Sequence, residues 1–86
     1  MFTKTIIVPN KTGLHARPAS GLVRLCKSFE SDIRIINEDN TINAKSIIQV
    51  LSGGIQQNTS IVIEAEGADE DIAGPKIAEY IETLTE

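Results

Sequence analysis

Tryptophan is absent from this 86-residue chain, and tyrosine and phenylalanine together occur only three times. The core must therefore close on aliphatic side chains, and the isoleucines dominate it. A single cysteine, Cys26, excludes an internal disulfide. One histidine beside that one cysteine excludes a metal site of the usual ligand count. No apolar run approaches the ~18 residues a membrane span needs. Residues 1–8 lack both the basic start and the long apolar stretch of a signal peptide. Asn10-Lys11-Thr12 and Asn58-Thr59-Ser60 match the glycosylation sequon, which only a chain in the secretory path can use. The expectation is one soluble, reduced, cytoplasmic domain over residues 1–86, with no metal, no cofactor and no membrane insertion.

Positive charge is scarce in one half. The net charge is −4 and the pI near 4.9, which argues against nucleic acid, because phosphate neutralisation needs a basic face. Residues 1–45 carry +3, and residues 46–86 carry −7. The lone histidine lies in the basic half, near Lys11, Arg17, Arg24 and Lys27. Two readings stand side by side. The cations could merely reflect helix-end preference, or they could form a local field that welcomes an anion or an acidic partner.

Periodicity sets the elements. Residues 2–8 are β-branched and apolar, and Pro9-Asn10 stops this first strand. Residues 11–15 form a loop with Gly13 as hinge. Pro18 suits a first helical turn, and the residue before proline avoids α geometry, so Arg17 is expected at the N-cap and the helix at Pro18. Ala19, Leu22, Val23, Cys26 and Phe29 then recur on one apolar face. Cys26 on that face reads as a small core residue, not a reactive thiol. Asp32–Asn37 reads as a strand with Ile33 and Ile35 on one side and Arg34 on the other. Residues 41–43 can pair back as a short third strand. Residues 46–51 are a brief helix stopped by Gly53-Gly54. Ser60–Glu66 alternates most clearly, setting Ile61, Ile63 and Ala65 against Val62, Glu64 and Glu66. A last helix turns Ile77, Ile81 and Leu84 inward, and Gly74-Pro75 either marks its true start or kinks it. The order is βαββαβα, which suggests a two-layer α+β sandwich with the helices on one sheet face.

A lone histidine is ordinarily a surface group or a hydrogen-bonded core residue. Here "TGLHARPAS", residues 12–20, places His15 where a helix begins. Such an end presents backbone N–H groups and a positive dipole, which suit phosphate. Arg17 adds a planar guanidinium matched to phosphate oxygens. Imidazole is a competent nucleophile. A nucleophile in a preformed anion site suits a histidine that becomes phosphorylated. Charge-assisted bonds of roughly 1.5–3 kcal/mol each would hold the group without trapping it. A hydrolase would need a further acid or nucleophile in fixed position, and the loop offers only Thr12 and Ser20.

"GLHARPA" at residues 13–19 strongly resembles the active-site signature of the histidine-containing phosphocarrier (HPr) family of the bacterial phosphoenolpyruvate:sugar phosphotransferase system. The length, the element order and "NAKSIIQVLSGGI" at residues 43–55 are similar throughout. The resemblance implies that His15 accepts phosphate on Nδ1 from phosphorylated enzyme I and passes it to the A domains of sugar permeases. It also implies that Arg17 assists transfer and that the amides of Ala16 and Arg17 contact the phosphoryl oxygens. The implied sheet is four-stranded and antiparallel in the order 1-4-2-3, in an open-faced two-layer sandwich. The carrier is expected to act as a monomer, not as an enzyme.

A serine before a short helix is ordinarily a cap. By resemblance to the Gram-positive branch, Ser46 is a target of HPr kinase/phosphorylase, and the serine-phosphorylated form binds the catabolite control protein. Phosphoserine there would set a dianion beside Ile47, Ile48 and Leu51, an apolar patch expected to dock partners. Three features depart from the family pattern: Gln49 in place of glycine, Gly53 in place of a bulkier apolar residue, and Gly74-Pro75. A carrier of the nitrogen-regulatory branch, and a regulatory module whose His15 is never phosphorylated, are the alternative readings.

Overall fold

The computed structural model describes residues 1–85. Its elements are β1 (Phe2–Ile7), α1 (Ala16–Lys27), β2 (Asp32–Asn37), β3 (Asn40–Asn43), α2 (Ile47–Ser52), β4 (Ser60–Glu66) and α3 (Glu70–Glu82). The four strands form one antiparallel sheet in the order β1-β4-β2-β3, and the three helices pack on one of its faces. Both the βαββαβα order and the strand order agree with the expectation.

The register explains the core. Ile42 stands opposite Ile35, Ile35 opposite Ile63, and Ile6 opposite Ile61. All five are buried, as are Leu22, Val23 and Cys26 from α1 and Ile77 and Ile81 from α3. Full burial of an isoleucine contributes roughly 1.5–3 kcal/mol, so this aliphatic layer can carry the fold without aromatic bulk. Burial also pushes the Cys26 thiol up to about 12, which keeps it protonated and inert as the sequence suggests. The opposite sheet face is mixed, with Ile36 across from Val62 and charged residues beside them. Arg34 stands across from Glu64, and its Nε donates to Oε1 at 3.1 Å.

Several boundaries differ from the sequence expectation. The N-cap of α1 is His15, not Arg17, and the helix starts at Ala16 with Pro18 as its third residue. Proline is tolerated there because the first four N–H groups of a helix have no intrahelical acceptor. The short helix starts one residue late, with Ser46 as its cap, and β3 starts at Asn40. Leu84 lies beyond the end of α3 but still packs half-buried against the core.

Gly74-Pro75 proves to be interior, because α3 begins at Glu70 and runs through Pro75. Tertiary packing accounts for the segment. A Cβ on Gly74 would lie 2.2 Å from the Phe2 ring, so the glycine lets the helix settle onto β1. The start of α3 is tied across the molecule by Asp69. Its carboxylate accepts from the N–H of Glu30 at 2.8 Å, the N–H of Ser31 at 2.9 Å and the Ser31 hydroxyl. The Ser31 hydroxyl first, then the Glu30 amide, hold the Asp69 carboxyl below the usual carboxylate range.

Candidate functional site

His15 is the residue at which loop becomes helix. Its backbone is extended (φ −121°, ψ 162°), and its exposed side chain makes no capping bond to the helix. The next residue is unusual. Ala16 takes φ +48°, a left-handed conformation that costs an L-residue roughly 1–2 kcal/mol. The helical ladder starts only with a long bond, Ala19 N–H to the His15 carbonyl at 3.5 Å. The amides of Ala16 and Arg17 therefore lie ahead of the ladder, at the positive end of the α1 dipole.

The loop that presents His15 is held from elsewhere in the chain. Leu14 is buried, and its N–H donates to the Ile55 carbonyl at 3.1 Å. Gly13 (φ +61°) lies so close to this segment that a Cβ would stand 2.3 Å from the Ile55 carbonyl oxygen. Gly13 is thus a point of close backbone approach, not the free hinge that the loop reading suggests. Asn10, also buried, closes the turn: its Nδ2 donates to the Gly13 carbonyl at 2.8 Å, and its own carbonyl accepts from the Gly13 N–H at 3.2 Å.

The structure divides the cations around His15. Arg17 is exposed in the first turn of α1, beside His15 in sequence. Arg24 and Lys27 belong to the last turn of the same helix. A 12-residue helix is about 18 Å long, so these two complement the negative end of the dipole, as the helix-end reading has it. Lys11 and Arg17, both exposed, remain as the cations nearest the histidine in sequence.

Ser46 stands at a separate turn. It is half-buried, and its hydroxyl accepts from the Gln49 N–H at 3.3 Å. Gln49 braces the turn, because its Oε1 accepts from the Asn43 N–H at 2.9 Å. The Ser46 N–H donates to the Asn43 carbonyl at 3.0 Å, so only the serine half of a capping box is formed. The Gly53 departure has a packing cause. A Cβ there would meet Ile42 Cδ1 at 2.5 Å, so the Ile42 side chain fills the space a larger residue would need. Ile47, Ile48 and Leu51 leave their side chains on the surface at 38%, 75% and 39% exposure, an apolar patch on α2, which packs against α1.

Sequence reasoning missed the supports of the loop, namely Asn10 and Ile55. The turn-forming pair Asn10 and Gly13 was the local signal available. Among the described residues no group of His, Cys, Asp and Glu could hold a metal ion.

A family model described as "PTS HPr component phosphorylation site" matches residues 2–83. The chain belongs to the HPr family of phosphocarrier proteins. This family serves the phosphotransferase system as carriers of phosphate, not as catalysts. The chain is 40% identical to phosphocarrier protein HPr of Buchnera aphidicola over 84 residues, covering 98% of this chain and 99% of the relative. It superposes on an HPr crystal structure from Thermoanaerobacter tengcongensis with a TM-score of 0.93 at 40% identity, covering 96% and 93% of the two chains. It also resembles Crh, the Bacillus subtilis catabolite repression protein described as a dimer with a swapped domain. There the TM-score is 0.78 at 34% identity, with 100% and 99% of the chains covered.

Proposed function

We propose that His15 is the phosphoryl acceptor of this carrier, taking the group from phosphorylated enzyme I and giving it to the A domains of sugar permeases. The observation that supports the reading most is the placement of an exposed imidazole at the N-cap of α1, bound to nothing within that helix. In the transfer, imidazole Nδ1 attacks phosphorus, a new N–P bond forms, and the bond to the donor breaks with its electron pair returning to the donor. The amides of Ala16 and Arg17 and the Arg17 guanidinium offset the charge brought to the helix end. Such groups matter most while charge is shifting in the transition state.

Regulation at Ser46 belongs to the same proposal. A phosphoryl group placed on the α2 cap adds a dianion next to Ile47, Ile48 and Leu51. Desolvating that charge would weaken docking to acidic partners. The kinase/phosphorylase would write this mark, and the catabolite control protein would read it. The whole of residues 1–86 acts as one cytoplasmic, monomeric unit in this account. Among the described residues no helix is long and apolar enough to cross a membrane.

The test is labelling from phosphoenolpyruvate through enzyme I. Wild type should acquire one acid-labile phosphoryl group, and His15→Ala should acquire none while keeping its fold. Normal labelling of His15→Ala would remove His15 from the mechanism.

A further inference from the structure

Tyr80 and Gly21 take no part in the reading above, yet they meet at the site. The Tyr80 hydroxyl, on α3, donates to the Pro18 carbonyl at 2.9 Å. Pro18 is the third residue of α1. The hydroxyl reaches it because residue 21 has no side chain. A Cβ on Gly21 would stand 2.3 Å from the Tyr80 hydroxyl oxygen and 3.2 Å from Cζ. Glycine is the poorest helix former after proline, so its place inside α1 is a local cost, and admitting Tyr80 is what it makes possible. A carbonyl oxygen has two lone pairs, so the Pro18 carbonyl can accept this bond and still serve the helix.

The position of this contact gives it meaning. Ala16, two residues before Pro18, is held at φ +48°. Residues in such conformations persist only where their surroundings over-determine them. On one side of Ala16, Gly13 and Leu14 are fixed on Ile55. On the other, Pro18 is fixed by Tyr80. We propose that Tyr80, admitted by Gly21, is a positioning residue for phosphoryl acceptance at His15. Its hydroxyl anchors the first turn of α1 to α3, and so holds the Ala16 turn in the geometry that receives the phosphoryl group. This rests on the carrier reading above. The side chain acts through Pro18, not on the phosphoryl group, so its effect falls on turnover, not on encounter with the donor.

The experiment uses wild type, Tyr80→Phe, Gly21→Ala and the double variant as acceptors from phosphorylated enzyme I. Tyr80→Phe keeps the ring and removes one oxygen, so the fold is retained. Misplacement of a reacting group by a fraction of an ångström is costly, and the expected loss in kcat is about three- to tenfold with KM changed by less than about twofold. The amide resonances of Ala16 and Arg17 should shift in the same variant. Gly21→Ala should reproduce the loss, because its methyl displaces the hydroxyl. The double variant should be little worse than Tyr80→Phe alone, since the methyl then meets only the ring edge, 3.2 Å from Cζ, which a shift of a few tenths of an ångström relieves. A wild-type kcat in Tyr80→Phe, a loss confined to KM, or additive losses in the double variant would each overturn the positioning role. Wild type that takes no label would overturn the carrier reading itself, and that outcome is distinct from a Tyr80→Phe protein that labels like wild type.

Discussion

The two turns that carry the candidate phosphorylation sites differ in what holds the residue at the helix start. The Ser46 cap itself is made by its own neighbours: Ser46 to Gln49, Gln49 to Asn43, and Asn43 Oδ1 to the Lys45 N–H at 2.9 Å. The Ala44 N–H, donating to the Ile33 carbonyl at 3.0 Å, and Lys45 Nζ, donating to the Phe29 carbonyl at 2.7 Å, seat the segment before it. The three bonds of the cap each span six residues or fewer. The His15 turn is strained at Ala16 and depends on distant groups, with Ile55 on one side and Tyr80 on the other. A local cap tolerates change elsewhere in the molecule, whereas a turn held from afar is sensitive to it. On the proposed reading, the chemistry that must be aimed sits on the turn held by Ile55 and Tyr80.

The sharpest way to break this contrast is at Gly13. Gly13→Ala puts a methyl against the Ile55 carbonyl in a left-handed backbone, and should destabilise the protein by roughly 3 kcal/mol. Urea unfolding measures this, and a change below about 1 kcal/mol would contradict the packing account. Labelling of His15 should slow in the surviving folded protein, while phosphorylation of Ser46 in that same folded fraction should be little altered.

Arg17→Ala comes next. It should slow phosphoryl transfer from enzyme I by roughly ten- to a hundredfold. The melting temperature should move little, because Arg17 is exposed. An unchanged rate with a large loss of stability would instead make Arg17 a structural residue.

Ser46→Ala sharpens the other side. It deletes the acceptor for the Gln49 N–H and should cost about 1 kcal/mol. Ser46→Asp should keep the fold yet bind enzyme I more weakly, with part of the deficit relieved by salt. Titrations at two ionic strengths measure this, and equal affinities for wild type and Ser46→Asp would leave Ser46 a helix cap only.

The smallest effect concerns acid. The folded Asp69 carboxyl is held below the usual carboxylate range, so its stabilisation is fully present above the unfolded value of about 3.9. It is lost as pH falls from there through the lowered folded value. Asp69→Asn should therefore be less stable than wild type at neutral pH, and the gap should close in that acid window. A gap that stays constant to pH 2 would contradict the assignment.

Much of this was legible in the sequence because it is local. The period-2 alternation of Ser60–Glu66 and the helical spacing of Leu22, Val23 and Cys26 report which face is buried, and burial follows them. His15 and Arg17 stand out as candidates in the sequence because a proline and an arginine crowd one helix start. What stayed hidden depends on residues far apart in the chain. Nothing near Pro18 announces Tyr80, and nothing near Pro75 announces that Gly74 rests on Phe2. The expected α1 start at Pro18 missed the observed one because the rule for residues before proline is local, whereas the Ala16 turn is imposed by tertiary support. The cluster of cations near His15 looked larger in sequence than it is in space, since a helix carries Arg24 and Lys27 away to its far end.

The most direct measurement is an amide chemical-shift map of the protein before and after phosphorylation from phosphoenolpyruvate through enzyme I. The account predicts that the largest shifts fall on Ala16 and Arg17, with smaller changes at Leu14 and the first turn of α1, while Asn43, Ser46 and Gln49 stay close to their starting positions. Large shifts centred on the Ser46 turn, with Ala16 and Arg17 unmoved, would contradict it.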